Sequence, residues 1–369
     1  MGESPRADAT TTTGRGRSLV TGRLVSLCLV SAVVTVAAGL VQVAFGSYPT
    51  TFGEALHILL DPAMLLNPEV WRAFLLDAEL PRMSRRYLVV WNLRVPRVVV
   101  AVLAGATLSV SGAVFQAVTR NELASPFVLG VSSGAGFAVL LTLVVFTGLA
   151  PFLPLFAALG GTVAFLLVYA IAWKGGTSPV RLVLAGVVVS MIFHSLQQGL
   201  FYLAEDIGAV RSAIAWTSGS LAGADWGDVR IALIPSVLSV GLALLGARQL
   251  NLLLLGERTA KSLGMRVEAV RFGMASVAIL AASAAIAVAG IVSFVGLVVP
   301  HIVRTILGSD YRRLLIGCVF VGPALMVSAD AVARLALRPI QVPVGVVTGL
   351  IGGPYFLYLM RRQDAMGEL

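Results

Sequence analysis

The stretch FGMASVAILAASAAIAVAGIVSFVGLVVPHIV, from Phe272 to Val303, contains no Asp, Glu, Lys or Arg residue. A helix that crosses a bilayer needs roughly 17 to 25 predominantly apolar residues, so this stretch is too long for one crossing. Gly290 and Pro300 interrupt it, and both residue types weaken a continuous helix. The stretch therefore predicts one full membrane helix followed by a short one.

Seven other charge-free stretches have lengths that suit membrane helices. Six fit one crossing each, two of them at slightly short length, and the longest fits two because Gly148, Pro151 and Pro154 interrupt it. The total predicts an all-α polytopic membrane protein with ten crossings. The stretches are Leu24 to Gly53, Val98 to Thr119, Leu123 to Trp173, Leu182 to Ala204, Ile231 to Ala247, Leu314 to Ala329 and Pro339 to Met360.

Composition and charge agree with a membrane protein. Of the 369 residues, 58% are hydrophobic and 12% charged, which excludes an ordinary soluble enzyme. An even number of crossings puts both termini on one side, and with cytoplasmic termini 17 of the 27 Lys and Arg residues are cytoplasmic. The net charge of +9 then reflects the excess of Lys and Arg in cytoplasmic segments, and we expect no nucleic-acid partner.

The predicted organisation has no soluble domain. Residues 1–20 are expected to be a disordered cytoplasmic tail, residues 21–362 the ten-helix membrane domain, and residues 363–369 a cytoplasmic carboxyl-terminal tail. The first apolar run lacks a small-residue cleavage site, which favours an uncleaved helix over a signal peptide. An external loop spans residues 46–97, and its segments TFGEALHILL and PEVWRAFLLDAEL are typical of short amphipathic helices lying along the membrane surface.

Few residues in the predicted helices can carry chemistry. Only His194, His301 and Asp330 are ionisable there, and a carrier driven by protons or sodium would normally have several such groups. No catalytic motif or phosphate-binding loop is present, so we expect no enzyme activity and no metal site. Cys28 and Cys318 lie in apolar spans and are interpreted as packing residues.

The short helix that ends in His301 and Arg304 is expected to be structural. Arg304 is interpreted as a snorkelling residue at the inner membrane surface. His301 is expected to be a neutral imidazole bonded to a backbone carbonyl.

The segment RQLNLLLLGERTAKSLGMRVEAVR, residues 248–271, is the most informative cytoplasmic loop. Its pattern predicts a short helix on which Ala260 and Leu263 share a face, and Gly264 occupies the position of a helix-ending residue. Such a helix is suited to a groove on a cytoplasmic protein, although a solvated loop remains an alternative. The residues concerned are Glu257, Arg258, Ala260, Lys261, Leu263 and Gly264.

Glycines recur at every fourth position on two predicted helices, where they allow backbones to approach closely. Ordinary packing inside the membrane is one interpretation, and a subunit interface or translocation path is the other. The glycines are Gly130 and Gly134 on the third helix and Gly345, Gly349 and Gly353 on the last.

Five stretches in this order and spacing resemble the FecCD family of permeases, the membrane subunits of ABC importers for ferric siderophores, haem and vitamin B12. They are LRVPR (93–97), SGAVFQAVTRNELASPFVLGVSSGAG (111–136), RLVLAGV (181–187), GIVSFVGLVVPHIVRTILGSDYRRLL (290–315) and ADAVARLALRPIQVPVGVVTGLIGGPYF (329–356).

The resemblance implies a BtuC-like fold that pairs with a second copy or a paralogue around a central pathway in the bacterial cell membrane. It implies two cytoplasmic ABC ATPases, which hold ATP and magnesium, and an external substrate-binding (lipo)protein, while this chain binds no cofactor. The expected cargo is a ferric siderophore, with haem and vitamin B12 as alternatives. An ion-coupled secondary transporter is the alternative from another class.

The resemblance also implies roles for particular residues. The segment from Glu257 to Gly264 corresponds to the coupling helix that contacts the ATPase. Thr177, Ser178 and Pro179 correspond to a cytoplasmic gate, with a plain turn as the alternative. Arg94, Arg97 and Arg334 correspond to exposed arginines that pair with carboxylates of the binding protein, with snorkelling to lipid headgroups as the alternative.

Two positions depart from the family pattern. Glu122 stands where the family usually has proline, and Gln341 stands where it usually has glutamate. The loss of the glutamate removes a negative charge beside the predicted docking arginines.

Overall fold

The computed structural model describes residues 21–367 except 47, 49, 175, 205, 338 and 339. Within those residues the chain is helical, with short turns and no β-strand. The predicted tail at residues 1–20 lies outside the described residues. The helices of the first half are α1 Gly22–Ala44, α2 Phe52–Leu59, α3 Pro62–Leu65, α4 Pro68–Leu76, α5 Arg85–Leu88, α6 Val95–Thr119, α7 Val131–Val144 and α8 Leu153–Ala172.

The second half begins with a long helix whose first turn is capped by Ser178, since its hydroxyl accepts from the backbone N–H of Arg181. The helices are α9 Pro179–Leu203, α10 Ile207–Thr217, α11 Trp226–Leu245, α12 Ala247–Leu254, α13 Glu257–Ser262, α14 Val267–Ala289, α15 Val295–Leu307, α16 Tyr311–Leu335 and α17 Val344–Gly367.

Ten helical segments of the described chain match the ten predicted crossings. Seven are long and apolar enough to span a membrane, and three shorter apolar helices complete the set: Val131–Val144, Val295–Leu307 and Val344–Tyr358. The break predicted near Gly290 is confirmed, because α14 ends at Ala289 and Gly290 has φ +66°. The division of Leu123 to Trp173 is confirmed as α7 and α8.

Three predicted boundaries differ from the structure. The external loop does not extend to Arg97, because α5 and a π-helical segment, Val89–Arg94, continue directly into α6. The loop predicted at residues 248–271 is largely helical, since it contains most of α12, all of α13 and the start of α14. The last helix continues past Arg362 to Gly367, so no helix end separates the predicted tail from the membrane domain.

The helix α6 lies at the centre of the bundle, where it contacts α11, α14, α15 and α16. In the most apolar part of the segment that includes α6, 72% of the residues are buried, whereas the corresponding value for α1 is 17%. Most of the exposed residues of α1, among them Leu29, Val30 and Val33, are apolar, as expected of a lipid-facing helix.

Two glycines of α6 allow direct backbone contact with its neighbours. A Cβ atom on Gly112 would overlap the carbonyl of Gly296 in α15, and one on Gly105 would lie 2.5 Å from the carbonyl oxygen of Gly322 in α16. Lipid gives little hydrophobic drive for helix association, so such contacts carry much of the packing. The sequence interpretation missed these two glycines because they are not four positions apart.

The predicted glycine stripes divide into packed and open positions. A Cβ on Gly134 would overlap Gly160 and Ala164 of α8, and one on Gly345 would overlap the Ser218 carbonyl, so both glycines lie at close contacts within the chain. Gly130 has φ +81° and precedes α7. A Cβ on Gly349 or Gly353 would meet no atom within 4 Å.

The two predicted amphipathic helices exist as α2 and α4, and part of the apolar surface of each is buried against protein. Phe74 of α4 stacks on Trp226 of α11 with ring centres 4.5 Å apart, and Trp71 contacts the edges of Trp91 and Trp226. These aromatic rings hold α4 against the bundle.

We predict that Gly112→Val destabilises the protein by about 1 to 3 kcal/mol or more, because α15 would have to move away from α6. Thermal unfolding in detergent measures the change. Gly241→Val is the matched control, since a Cβ at Gly241 would meet nothing within 4 Å. Equal effects of the two substitutions would contradict the proposed contact.

Candidate coupling, gate and docking sites

The helix α13 is bounded by two glycines with left-handed backbone. Gly256 has φ +99° and Gly264 has φ +80°, conformations that other residues rarely adopt. The N–H of Gly264 donates to the Lys261 carbonyl at 2.9 Å, and that of Met265 donates to the Ala260 carbonyl at 3.0 Å. Gly264 is therefore confirmed as the residue that ends this helix.

One side of α13 faces the protein and the other is exposed. Ala260 is fully buried, whereas Leu263 is 59% exposed, so the prediction that they share a face is wrong. Leu263 is the C-cap residue, with φ −85° and ψ 12°, so its backbone is no longer α-helical. The exposed residues of this segment include Arg258, Lys261, Leu263, Gly264 and Arg266.

Arg271, in the second turn of α14, connects α13 to the predicted gate turn. Its guanidinium is fully buried and donates through Nη2 to Glu257 Oε1 at 2.6 Å. Through Nη1 it donates to the Thr177 carbonyl at 2.7 Å and to Glu268 Oε1 at 2.9 Å. The structure thus joins two elements that the sequence interpretation treated separately.

Glu268 holds the same turn from a second direction. Its Oε2 accepts from the Thr177 hydroxyl at 2.7 Å and from the Thr177 N–H at 3.2 Å. Thr177 is itself 4% exposed, and Ser178 and Pro179 follow as the cap and first residue of α9. The sequence signal for this cluster is that Arg271 is the last charged residue before the long apolar run from Phe272.

The three predicted docking arginines meet near the amino-terminal end of α6. Together they line a cavity of about 290 Å³, which also contains Gln341, Tyr48, Val89, Leu93, Gly223 and Ala224. The prediction that all three present exposed guanidinium groups is wrong, because Arg94 is 2% exposed and Arg97 is 6% exposed. Arg334 is half-buried and donates to the Gln42 carbonyl at 3.1 Å.

Arg97 forms a buried bidentate ion pair with Asp330 of α16. Its Nε and Nη2 atoms donate to the two carboxylate oxygens at 2.8 Å each, and both side chains are almost fully buried. Its Nη1 donates to Gln341 Oε1 at 2.9 Å. The amide of Gln341 therefore serves as acceptor where a glutamate would add a second negative charge.

Arg94 is bonded within the chain as well. Its guanidinium joins the start of α6 to the end of α1 and the residues after it. The acceptors are the carbonyls of Val43, Ala44 and Tyr48 and the hydroxyl of Thr50.

Comparison with known proteins agrees with this arrangement. A profile described as the FecCD transport family matches residues 24–362. The chain belongs to the FecCD transport family. It is a multi-pass membrane protein and a permease subunit of an ABC importer, a transport component rather than an enzyme. Membership implies ATPase and substrate-binding partners.

Individual relatives support this assignment. The Fe(3+)-citrate import system permease protein YfmD of Bacillus subtilis is 39% identical over 280 residues, covering 76% of this chain and 83% of the relative. The cobalamin import system permease protein BtuC of Halobacterium salinarum is 40% identical over 281 residues, covering 75% and 74%. A solved structure, described as an inward-facing conformation of a metal-chelate type ABC transporter, superposes with a TM-score of 0.76 at 26% identity, covering 91% of this chain and 99% of that chain.

This FecCD permease pairs Glu122, one of its departures from the family pattern, with Arg304. The two charged groups lie 3.3 Å apart, and Arg304 also donates to Gln116 Oε1 at 2.9 Å. The interpretation of Arg304 as a snorkelling residue is therefore wrong, because its side chain is only 11% exposed and is bonded to protein. His301 contacts the Tyr355 hydroxyl at 3.2 Å, not a backbone carbonyl.

Among the residues that the structure describes, no three His, Cys, Asp or Glu side chains come close enough together to hold a metal ion.

We predict that Arg97→Met lowers the free energy of unfolding by about 3 to 5 kcal/mol, because Asp330 would remain buried without its partner. The double variant Arg97→Met, Asp330→Leu should recover most of the loss. Arg86→Met is the control, since the Arg86–Glu54 pair is exposed and contributes little. Thermal unfolding in detergent that ranked Arg97→Met with Arg86→Met would contradict the role of the buried pair.

Proposed function

We propose that this permease imports ferric siderophores through a pathway formed with a second copy or a paralogue. An ATPase that seats on α13 drives the movement, and an external binding protein delivers the chelate. The termini are cytoplasmic, and ATP and magnesium are held by the ATPase rather than by this chain. The observation that carries the proposal is the exposed basic surface of α13, anchored to the bundle by Ala260 and Glu257.

The charge of α13 favours an acidic groove on the partner. Arg258, Lys261 and Arg266 are exposed in the same short segment as Leu263, so this surface combines one exposed apolar side chain with three cations. Charge complementarity steers association and fixes register, while a buried apolar anchor supplies much of the affinity. The two glycines that bound α13 hold this surface in one shape.

Two helices support a pathway between permease subunits. In α9 only 22% of the most apolar window is buried, and the polar residues His194 and Gln198 are exposed on it. Polar side chains that face lipid are unfavourable, so this face is better matched to a water-containing pathway than to lipid. On α17, Gly349 and Gly353 leave open space for a second subunit to approach closely.

The proposed cargo rests on the permease for Fe(3+)-citrate, a ferric chelate, among the relatives. A cobalamin permease and a hemin permease are about as similar, so corrinoid and haem are the alternatives within the class. A metal that arrives already chelated needs no ligands from the pathway, and the lining then interacts with the outside of the chelate.

For docking of the binding protein, Arg334 is the strongest of the three arginines because it is half-buried rather than buried. Arg94 and Arg97 would act mainly by holding the walls of the cavity. Arginine recognises carboxylates bidentately, so an acidic residue of the binding protein is the expected partner.

We predict that Leu263→Glu weakens binding of the ATPase by about 2 kcal/mol, or roughly 30-fold, since it places an anion within a cationic surface and removes its apolar anchor. Copurification with the ATPase and stimulation of ATP hydrolysis measure the effect. Leu66→Glu is the matched control, because Leu66 is likewise an exposed C-cap residue but lies after α3. Unchanged ATPase binding in Leu263→Glu would overturn the assignment of α13.

Uptake into proteoliposomes tests the whole proposal. The permease is reconstituted with its ATPase and binding protein, and labelled ferric hydroxamate, haemin and cobalamin are offered separately. We expect ATP-dependent uptake of the ferric chelate, and Arg334→Glu should raise the binding-protein concentration for half-maximal uptake about tenfold. Arg72→Glu, an exposed arginine on α4 outside the cavity, is the control.

The same assay separates the alternatives. Uptake of haemin or cobalamin in place of the ferric chelate would replace the cargo and leave the class intact. Uptake by the chain alone, driven by an ion gradient and independent of ATP, would establish a secondary transporter instead.

A further inference from the structure

We propose that Arg271 is the positioning residue through which movement of α13 reaches the turn at Thr177–Pro179. This inference rests on the proposed function, in which α13 seats on the ATPase, and on the gate role that the family resemblance implies for the turn. Arg271 contacts both elements directly and is itself part of the long helix α14.

The link to α13 is a single short ion pair. Glu257 is the first residue of α13, and its carboxylate accepts from Arg271 Nη2 at 2.6 Å. The Glu257 side chain is 35% exposed, whereas that of Arg271 is fully buried. The carboxylate therefore lies where a surface helix meets the interior.

The link to the turn is made of several bonds. Arg271 Nη1 lies within hydrogen-bond distance of the Thr177 carbonyl, the Thr177 hydroxyl and Glu268 Oε1. Glu268 in turn accepts from the N–H and hydroxyl of Thr177. Because Ser178 and Pro179 begin α9, a displacement of Thr177 displaces the start of that helix.

The burial of Arg271 makes this link costly to break. If the fully buried guanidinium lost Glu257, Glu268 would remain as its counter-ion, but Nη2 would lose its acceptor in the protein interior. Its planar fork also requires both Nη atoms to stay aligned with their acceptors. A shift of Glu257 is therefore followed by Arg271, or it breaks a buried pair, and either event changes the bonds that hold Thr177.

The experiment follows the turn without any cargo. Val180 is 67% exposed in the first turn of α9, so Val180→Cys reports on its surroundings; Cys28 is replaced by Ala, and Cys318 is kept because it is fully buried. The permease–ATPase complex in inside-out vesicles is labelled with a membrane-impermeant maleimide, with and without a non-hydrolysable ATP analogue. We expect nucleotide to change the labelling rate of this parent about fivefold or more.

The decisive variant is Glu257→Gln, which removes the charge that α13 offers to Arg271. We expect it to abolish most of the nucleotide response while the ATPase still copurifies. Glu54→Gln is a closely matched control: Glu54 is in the first turn of α2, forms a 2.6 Å pair with Arg86 and is 39% exposed. It should respond to nucleotide as the parent does.

Two further variants test that the signal passes through Arg271. Arg271→Lys keeps the charge but loses the fork, and it should also lose the response. Thr177→Val removes the hydroxyl bonds on the far side. If both ends act through one arginine, the double variant Glu257→Gln, Thr177→Val should be no worse than the more severe single variant.

The possible outcomes are distinguishable. A full nucleotide response in Glu257→Gln would overturn the inference and leave the proposed function standing. Loss of ATPase copurification in that variant would assign Glu257 to the partner interface and would also overturn it. A parent whose labelling ignores nucleotide, although its ATPase is bound, would instead count against the proposed function itself.

Discussion

Backbone contact along α6 is the constraint on which the rest of the bundle depends. Helices in a bilayer gain little from hydrophobic burial against one another, so close approach has to be made possible by missing side chains. Gly105 and Gly112 provide that space for α16 and α15. Once these helices touch α6, Arg97 lies beside Asp330 at one end of α6, and Gln116 lies beside Arg304 at the other.

Buried arginines occur at both ends of this packed core, but they connect different kinds of element. Arg97 joins two long helices through a carboxylate that is itself buried, an arrangement suited to a fixed framework. Arg271 joins a short surface helix and a turn through carboxylates that are about one third exposed. A protein bound at the surface can therefore displace these carboxylates, as energy coupling requires.

The departures from the family pattern are absorbed by local partners. Glu122 lies beside Arg304, an arginine that would otherwise have only neutral acceptors among the described residues. Gln341 accepts a hydrogen bond from Arg97, whose charge is already balanced by Asp330. In both places the substituted residue is consistent with the charge of its neighbour, so the altered positions do not leave a buried charge without a counter-ion.

The sequence by itself determined the number of crossings, the break at Gly290 and the glycine that ends α13. These features depend on hydropathy and on backbone freedom, which are properties of a short segment. It could not determine where the side chains of the arginines point. Arg97 finds Asp330 at a separation of 233 positions, and Arg271 finds Thr177 at 94, so exposure and pairing follow from helix packing. Only the tertiary structure decided that two predicted docking arginines are buried and that one unpredicted arginine, Arg271, joins α13 to the turn at Thr177. The physical reason is that a charged side chain can be buried only where the fold brings an opposite charge or other acceptors within hydrogen-bond distance, and these partners can be far away in the sequence.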